Sequence, residues 1–481
     1  MVANGRHLVG RYRHFSKCLI AMTFGAAVLF AGIGSPAVGA DLGGDCCADL
    51  EERIAELETA ALRHPNRQLE LTLEGVVNRA ALIWDDGERR DIYIVDNAQD
   101  GSSFVIEGEV ELDGGWSAGL TLGMDFLLPS SDFVDQLNDG TPTELVDIVD
   151  LSDSFITVSN ERLGTINFGL TDTAADGIAN ILLSKSYTVA DGDTSNWIGN
   201  FFLQAAGVSG QGGLATGEAD EGFGVAEIRW GDFLVDSLGG DTLNAITYVS
   251  PEVRDFEFSA SWGENDFWDV ALRYNAEWSN TLRVEAGIGY WNNTSEELPF
   301  IFQVREDPLE PVNDAGWGGG IAMRHLPTGL NLAFNYGTES HTDECFERAI
   351  VTNRCRGDDE FYYVNGGIVR DFTGRGDTAI YGEYQRVRRN LNESDEDVLR
   401  ALEVNEDQAE EFKDSLATVW GVGVVQQIRG VPADNSTVLM EFYLGYRHYS
   451  LDIDLINAEG AVPSRSINDF DVVLTGAAIF F

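Results

Sequence analysis

The stretch 267-FWDVALRYNAEWSNTLRVEAGIGYW-291 has an apolar residue at every second position on both sides of the polar pair Ser279-Asn280. Charged or small residues occupy the positions between, among them Arg273 and Arg283. Side chains two apart in a strand share one face, so the stretch predicts a β-hairpin with one apolar and one polar face.

Similar segments recur from Leu69 to the final Phe481, with aromatic residues at many of their ends. Segments of about ten residues with alternating hydrophobicity are typical of outer-membrane barrels, whose apolar face meets lipid and whose polar face meets water. The chain therefore predicts an all-β fold, a sixteen-stranded antiparallel transmembrane barrel over 67–481, with eighteen strands as the alternative. A turn at 85–87 and a polar loop precede the predicted strand at Phe104. The alternation is absent from 171 to 241, and such a length without strands is functional or disordered.

The N-terminal residues predict a secretory signal peptide over 1–40, with basic residues before an apolar run at 18–34 and small residues at its end. No later apolar run is long enough for a transmembrane helix. Between 41 and 66 the spacing of four, three and four predicts a short periplasmic helix with an apolar seam of Leu50, Ile54, Leu57 and Ala61. This helix could lie on the barrel mouth or join subunits in a short coiled coil.

The chain carries a net charge of −49. Nucleic acid is excluded as a partner, because phosphate binding needs a basic stripe. The acidic residues are explained either by solvated outer loops or by a negative field along a pore, which would enrich cations. Cys345 and Cys355 flank a short polar segment and could form a disulfide in an outer loop.

Alternation also assigns residues to faces. Sixteen strands enclose a lumen wide enough for water. The charged residues predicted to line it are Glu107, Glu109, Glu111, Glu257, Arg273, Glu277, Arg283, Glu285, Glu441 and Arg447. Tryptophans near strand ends are predicted to lie at the membrane interface, namely Trp84, Trp116, Trp230, Trp262, Trp268, Trp278, Trp291 and Trp420.

No catalytic constellation is found. Gly-x-Ser-x-Gly, His-Glu-x-x-His and Cys-x-x-Cys are all missing from the sequence. The stretch 191–195 starts like a calcium loop, but Asn196 and Phe202 occupy the places of its glycine and closing glutamate. We expect no enzyme activity, no cofactor and no metal site.

The chain resembles the trimeric general porins of Gram-negative bacteria, most closely those of alphaproteobacteria. The resemblance spans the mature chain and rests on the segments 47–58, 84–87, 163–169, 248–251 and 259–263 and on the terminal Phe481. It implies an outer-membrane homotrimer whose Phe481 is recognised by the barrel-assembly machinery. It also implies a constriction loop within 171–241, with candidate residues Asp172, Asp176, Asp191 and Asp193.

The function implied by this resemblance is passive diffusion of small hydrophilic solutes and ions. The acidic lumen adds an expected preference for cations. The alternatives are a channel specific for a sugar or carboxylate, and a structural protein whose N-terminal helix tethers the outer membrane.

Overall fold

The structure is a computed structural model that describes residues 70–126, 129–140, 149–204, 206, 229–234, 242–264, 266–293, 314–341, 359–389, 411–429, 439–457, 460–462 and 467–481. Outside these residues lie the predicted signal peptide at 1–40, the helix seam of Leu50, Ile54, Leu57 and Ala61, and the bridge between Cys345 and Cys355. Within the described part of the chain, no helix is long and apolar enough to cross a membrane.

The described residues form eighteen strands: β1 (Glu70–Asp85), β2 (Arg90–Asp96), β3 (Ser103–Leu112), β4 (Trp116–Phe126), β5 (Val149–Asn160), β6 (Gly164–Asp172), β7 (Thr242–Val249), β8 (Phe256–Gly263), β9 (Trp268–Trp278), β10 (Leu282–Asn293), β11 (Asp314–His325), β12 (Leu330–His341), β13 (Asp359–Arg370), β14 (Thr378–Arg389), β15 (Glu411–Arg429), β16 (Leu439–Asn457), β17 (Gly460–Val462) and β18 (Phe470–Phe480). β2 and β3 both pair with β1 and share one position in the wall, while β17 only extends the end of β16. Sixteen wall positions result.

The sheet closes on itself. Neighbouring wall strands pair antiparallel, and β18 pairs with β16 on one side and with β1 on the other, where Val76 lies opposite Phe480. A closed sheet satisfies every backbone hydrogen bond, as a bilayer requires. The predicted sixteen-stranded antiparallel barrel is thereby confirmed.

The β9–β10 hairpin has the faces that its sequence predicts. Leu272 and Ile288 point outward and are 42% and 56% exposed, whereas the inward-facing Ala271 is buried. Ser279 and Asn280 have left-handed φ angles of 53° and 52°, the geometry of a type I′ turn, which matches the twist of the paired strands. The two strands therefore meet in register, with Trp278 opposite Leu282.

Short turns lie at one end of the barrel, which we name the short-turn end. They include 113–115, 161–163, 279–281 and 326–329, while most connections at the opposite, long-loop end are longer. One predicted loop is wrong, because β2 lies between the 85–87 turn and Phe104. Its outward isoleucines alternate with the inward Tyr93 and Val95, so both faces are apolar and the strand shows no polar alternation.

The tryptophans divide into two groups. Trp116, Trp262, Trp268, Trp278 and Trp420 are between 39% and 64% exposed on the outer surface, as expected for an interfacial belt. The interfacial prediction is wrong for Trp84, Trp230 and Trp291, which are buried inside the barrel.

Candidate channel lumen

Residues 173–204, named here the lumen segment, follow β6 and fold into the barrel. The segment starts at the long-loop end, where the Asp269 carboxylate on β9 accepts hydrogen bonds from the backbone N–H groups of Ala174 (3.1 Å) and Ala175 (2.7 Å). Arg273, four residues further along β9, donates to the carbonyls of Ala174 (2.7 Å) and Asp176 (2.8 Å). The first turn of the segment is thus fixed by an anion and a cation on the same strand.

The descending limb continues across β10, β11 and β12. Asn335 on β12 accepts from the backbone N–H of Ile181 at 2.9 Å and donates to its carbonyl at 3.2 Å. Glycines leave room for the limb: a Cβ placed on Gly287 would lie 2.5 Å from Ile178 Cδ1. The wall and the limb therefore fit each other by shape as well as by hydrogen bonding.

The segment reverses at Lys185, which has a left-handed φ of 55°. The Lys185 ammonium donates to Asp377 at the short-turn end (2.6 Å) and to Gln427 on β15 (3.1 Å). Burial raises the pKa of the Asp377 carboxyl, but the Lys185 hydrogen bond and the charges of Lys185, Arg429 and Arg324 outweigh it, so the pKa lies below its ordinary value. The vertex of the segment is held by an ion pair.

The ascending limb returns along β14 and β16. Arg447 on β16 is fully buried, with its guanidinium 2.8 Å from the Glu383 carboxylate and 4.4 Å from the centre of the Trp197 ring. Tyr449 donates to the Thr194 carbonyl at 2.9 Å. Removing one partner from this buried ion pair would leave an uncompensated charge, so the wall beneath the limb depends on both residues.

Two further stretches enter the barrel. Residues 97–102 interrupt the wall between β2 and β3, and Asn97 donates to the Thr188 carbonyl at 2.6 Å. Residues 129–140 follow β4, and Gln136 makes two hydrogen bonds with the Phe202 backbone, at 2.8 and 2.9 Å. Both stretches therefore contact the ascending limb and help to fix its position.

An aromatic cluster completes the interior near the long-loop end. Phe201 of the lumen segment packs edge-on against Trp84 on β1 (5.3 Å between ring centres) and Phe470 on β18 (5.0 Å). Trp230 adds edge contacts to Tyr449 and Phe470. Aromatic pairs of this geometry stabilise beyond the area they bury. These contacts explain why Trp84 and Trp230 lie inside the barrel and not in the interfacial belt.

Asp191 lies at the centre of the ascending limb. Gln99 donates to its carboxylate at 2.5 Å, and the Asp193 backbone N–H donates at 2.8 Å. Burial, followed by the negative charge of Asp193, raises the pKa of Asp191 to about 7, although an Asn180 hydrogen bond and the Arg447 charge partly oppose this. The carboxyl therefore changes charge near neutral pH.

The inner faces of β3 to β6 form what we name the carboxylate wall. Glu109 and Glu111 are exposed on its inner face, and Glu107 is half-buried. The outward neighbours are apolar, such as Ile156 and Phe168, which are 57% and 61% exposed. These four strands contain no lysine or arginine. Their inner faces present carboxylates, hydroxyls and amides to the lumen.

The other predicted lumen residues lie on the wall that the segment contacts, which we name the covered wall, from β8 to β16. Glu257 faces Arg273 across β8 and β9, and Arg283 lies between Glu277 on β9 and its ion-pair partner Glu285, 2.6 Å away. Glu441 is buried and accepts hydrogen bonds from Thr188 and Gln427. Arg447 is buried beneath the segment. The structure thus brings Arg273, Glu441 and Arg447 into contact with the segment.

The predicted constriction residues fall at or within the lumen segment. Asp172 ends β6 and accepts from Thr242 at 2.9 Å. Asp176, Asp191 and Asp193 are all buried, and Asp193 accepts from Ser195 at 2.6 Å. Their role in selectivity stays a prediction.

Sequence reasoning missed the residues that hold the segment: Lys185, Asp269, Asn335, Asp377 and Glu383. Each wall residue among them is polar and stands at an inward position, which alternation indicates. Nothing in the spacing identifies its partner, because the partners are far apart in the chain.

The sequence model of the Gram-negative porin family matches residues 55–428, and the chain belongs to this family. It is an outer-membrane diffusion channel. Membership of this family points to a channel and not to an enzyme.

Among solved structures, the chain is similar to an anion-selective porin from Comamonas acidovorans, with 13% identity, a TM-score of 0.48, and coverage of 86% of this chain and 100% of that chain. OmpT of Vibrio cholerae in its trimer form is 12% identical, with a TM-score of 0.46 and coverage of 86% of this chain and 99% of that chain. OmpF of Salmonella typhi is 12% identical, with a TM-score of 0.43 and coverage of 85% of this chain and 97% of that chain. No curated protein matches the chain.

Proposed function

We propose that this porin passes small hydrophilic solutes without chemistry and prefers cations. The observation that carries the preference is the carboxylate wall, with Glu109 and Glu111 exposed to the lumen and no basic residue on β3 to β6. Fixed charges of one sign along a narrow aqueous path concentrate the opposite ion and set selectivity.

Two lumen-facing arginines of the covered wall, Arg283 and Arg447, offset this field only weakly because each is paired with a glutamate. Arg447 is paired with Glu383, and Arg283 is paired with Glu285. In contrast, Glu109 and Glu111 make no ion pair within the described residues. The uncompensated charge that water meets on the carboxylate wall is therefore negative.

The test is the reversal potential of the protein in planar bilayers under a potassium chloride gradient. We expect a cation-selective sign for the wild type and a several-fold lower K⁺ to Cl⁻ permeability ratio for Glu109→Gln/Glu111→Gln. Glu360→Gln is the matched control, since Glu360 stands on the outer face of β13, and its ratio should equal that of the wild type.

Two results would count against the proposal. An anion-selective wild type would remove the cation preference. Absence of conductance in a correctly folded barrel would remove the diffusion function itself.

We also propose a homotrimer that is embedded in outer-membrane lipid and joined by the N-terminal seam. Deleting 49–61 should leave conductance intact and loosen the trimer. Light scattering in detergent would show this as a smaller mass, and an unchanged mass would remove the coiled-coil role.

Recognition by the barrel-assembly machinery is proposed for Phe481, whose ring is 53% exposed while its backbone pairs with Gly75. Phe481→Ala should reduce the amount of barrel in the outer membrane but leave refolding in detergent unchanged. Equal losses in both assays would indicate a purely structural role.

A further inference from the structure

Four cations gather at the short-turn end of the lumen, beside the vertex of the lumen segment. We name Lys185, Arg283, Arg324 and Arg429 the basic cluster. Lys185 and Arg429 share the Asp377 carboxylate, at 2.6 and 3.7 Å. Arg324 lies within electrostatic reach of the same carboxylate. A concentration of positive charge is notable in a chain with a net charge of −49.

The carboxylates of this region are already engaged. Asp377 forms ion pairs with Lys185 and Arg429. Glu285 accepts two hydrogen bonds from the Arg283 guanidinium, at 2.9 and 2.6 Å. Glu441 accepts hydrogen bonds from Thr188 and Gln427. None of these carboxylates lies within 4 Å of Arg324.

Arg324 therefore stands out on the covered wall. It lies directly opposite Arg283 in the β10–β11 register and opposite Asn331 on β12. Its Nε is buried and has no hydrogen-bond partner within the described residues. Like charges placed directly opposite each other in a sheet are destabilising, and so is a buried donor without an acceptor. An anion between the two arginines would remove both costs.

The chemistry of the two side chains defines what fits. A guanidinium presents a planar fork of N–H donors that matches the two oxygens of a carboxylate or the oxygens of a phosphate. Gly318 and Gly320 on the same face of β11 contact the descending limb, so the inward direction of Arg324 follows from strand alternation. The residue is half-buried and reaches the lumen.

We propose that Arg324 and Arg283 form a binding subsite for a small oxyanion, the carboxylate or phosphate group of a solute, at the short-turn end of the channel. Entry of the solute rests on the proposed diffusion function, but the binding itself does not. The exposed Glu277 on the far side of Arg283 directs the anion towards Arg324.

The test measures binding without conduction. Inorganic phosphate is titrated with the full-length protein in a nonionic detergent, and the ³¹P line width is recorded. The wild type should broaden the line saturably. Arg324→Gln should weaken apparent binding about tenfold or more, the effect of a lost charge-assisted contact. Arg324→Lys keeps the charge without the fork and should give a smaller loss.

Arg370→Gln is the matched control, because Arg370 is exposed on the outer face of β13. It should bind phosphate as the wild type does, and circular dichroism should show the same β signal for every variant. Added acetate should reverse the broadening if carboxylates share the subsite, and its failure to do so would overturn the carboxylate assignment.

The subsite would be overturned by unsaturable broadening in the wild type, by unchanged binding in Arg324→Gln, or by an equal loss in Arg370→Gln. A bilayer recording on the same samples separates the two proposals. A protein that conducts without binding phosphate loses only the subsite, whereas one that binds without conducting loses only the diffusion function.

Discussion

The carboxylate wall and the covered wall have the same strand pattern but different chemical roles. In both, apolar residues point outward and polar residues point inward. On the carboxylate wall, Glu109 and Glu111 face the water of the lumen. On the covered wall, Asp269, Asn335 and Glu383 are buried and bound to the lumen segment or to its supports. A polar inner face therefore conducts or anchors, depending on whether another segment packs against it.

The two walls also differ in the free-energy cost of their charged residues. A charge facing water needs no partner, but a buried charge must be paired or hydrogen-bonded. Changes on the covered wall should consequently affect stability, while changes on the carboxylate wall should affect ion flow.

The largest effect is expected for Glu383→Gln, which leaves the Arg447 guanidinium buried without its carboxylate. We expect the free energy of unfolding in urea to fall by about 3–5 kcal/mol. The control is Glu360→Gln, whose partner Arg388 is 3.8 Å away and exposed; it should cost less than about 1 kcal/mol. Equal losses would mean that burial does not distinguish the two pairs.

The second effect concerns pH. The pKa of Asp191 is raised by burial from 3.8 to about 7, so the folded state retains a proton that the unfolded chain loses. Stability from this group is complete below about pH 4 and is lost as the pH rises towards 7, by at most about 1.4 kcal/mol per pH unit.

Asp191→Asn removes this titration, because an amide keeps the acceptor for Gln99 without a charge. Urea unfolding at pH 5 and pH 8 should show a smaller decrease for the variant than for the wild type. The comparison cancels the general repulsion of an acidic chain. If the free energy of unfolding fell equally in both proteins, the pH dependence would arise from a group other than Asp191.

The smallest effect is expected for Gly445→Ala on β16. The added Cβ would lie 2.6 Å from the Trp197 ring and 2.9 Å from Val189 Cγ2, so the ascending limb must shift. Overpacking of this kind costs about 1–3 kcal/mol. Gly382→Ala on β14 meets nothing nearer than 3.8 Å and should change stability by less than about 0.5 kcal/mol. If Gly445→Ala and Gly382→Ala lowered the melting temperature equally, the loss could not come from contact with the limb.

The wall could be predicted from the sequence because its period of two is a local property. The hairpin of Trp278 and Leu282 needs only its own residues to be recognised. β2 was hidden because its two faces are both apolar. Arg447 shows the limit for the site: alternation gives its inward direction, but its burial depends on Trp197, which belongs to a segment without periodicity.

The lumen segment has a consequence for the order of folding. Its hydrogen bonds reach wall residues that lie far along the chain. The separation in sequence is 94 positions for the bond to Asp269, 154 for Asn335, 192 for Asp377 and 255 for Tyr449. Every one of these partners follows the segment in the chain, and contacts between distant residues form slowly. These four wall partners are synthesised only after the segment is complete. We therefore expect the lumen to narrow late in folding, after the C-terminal strands have taken their places.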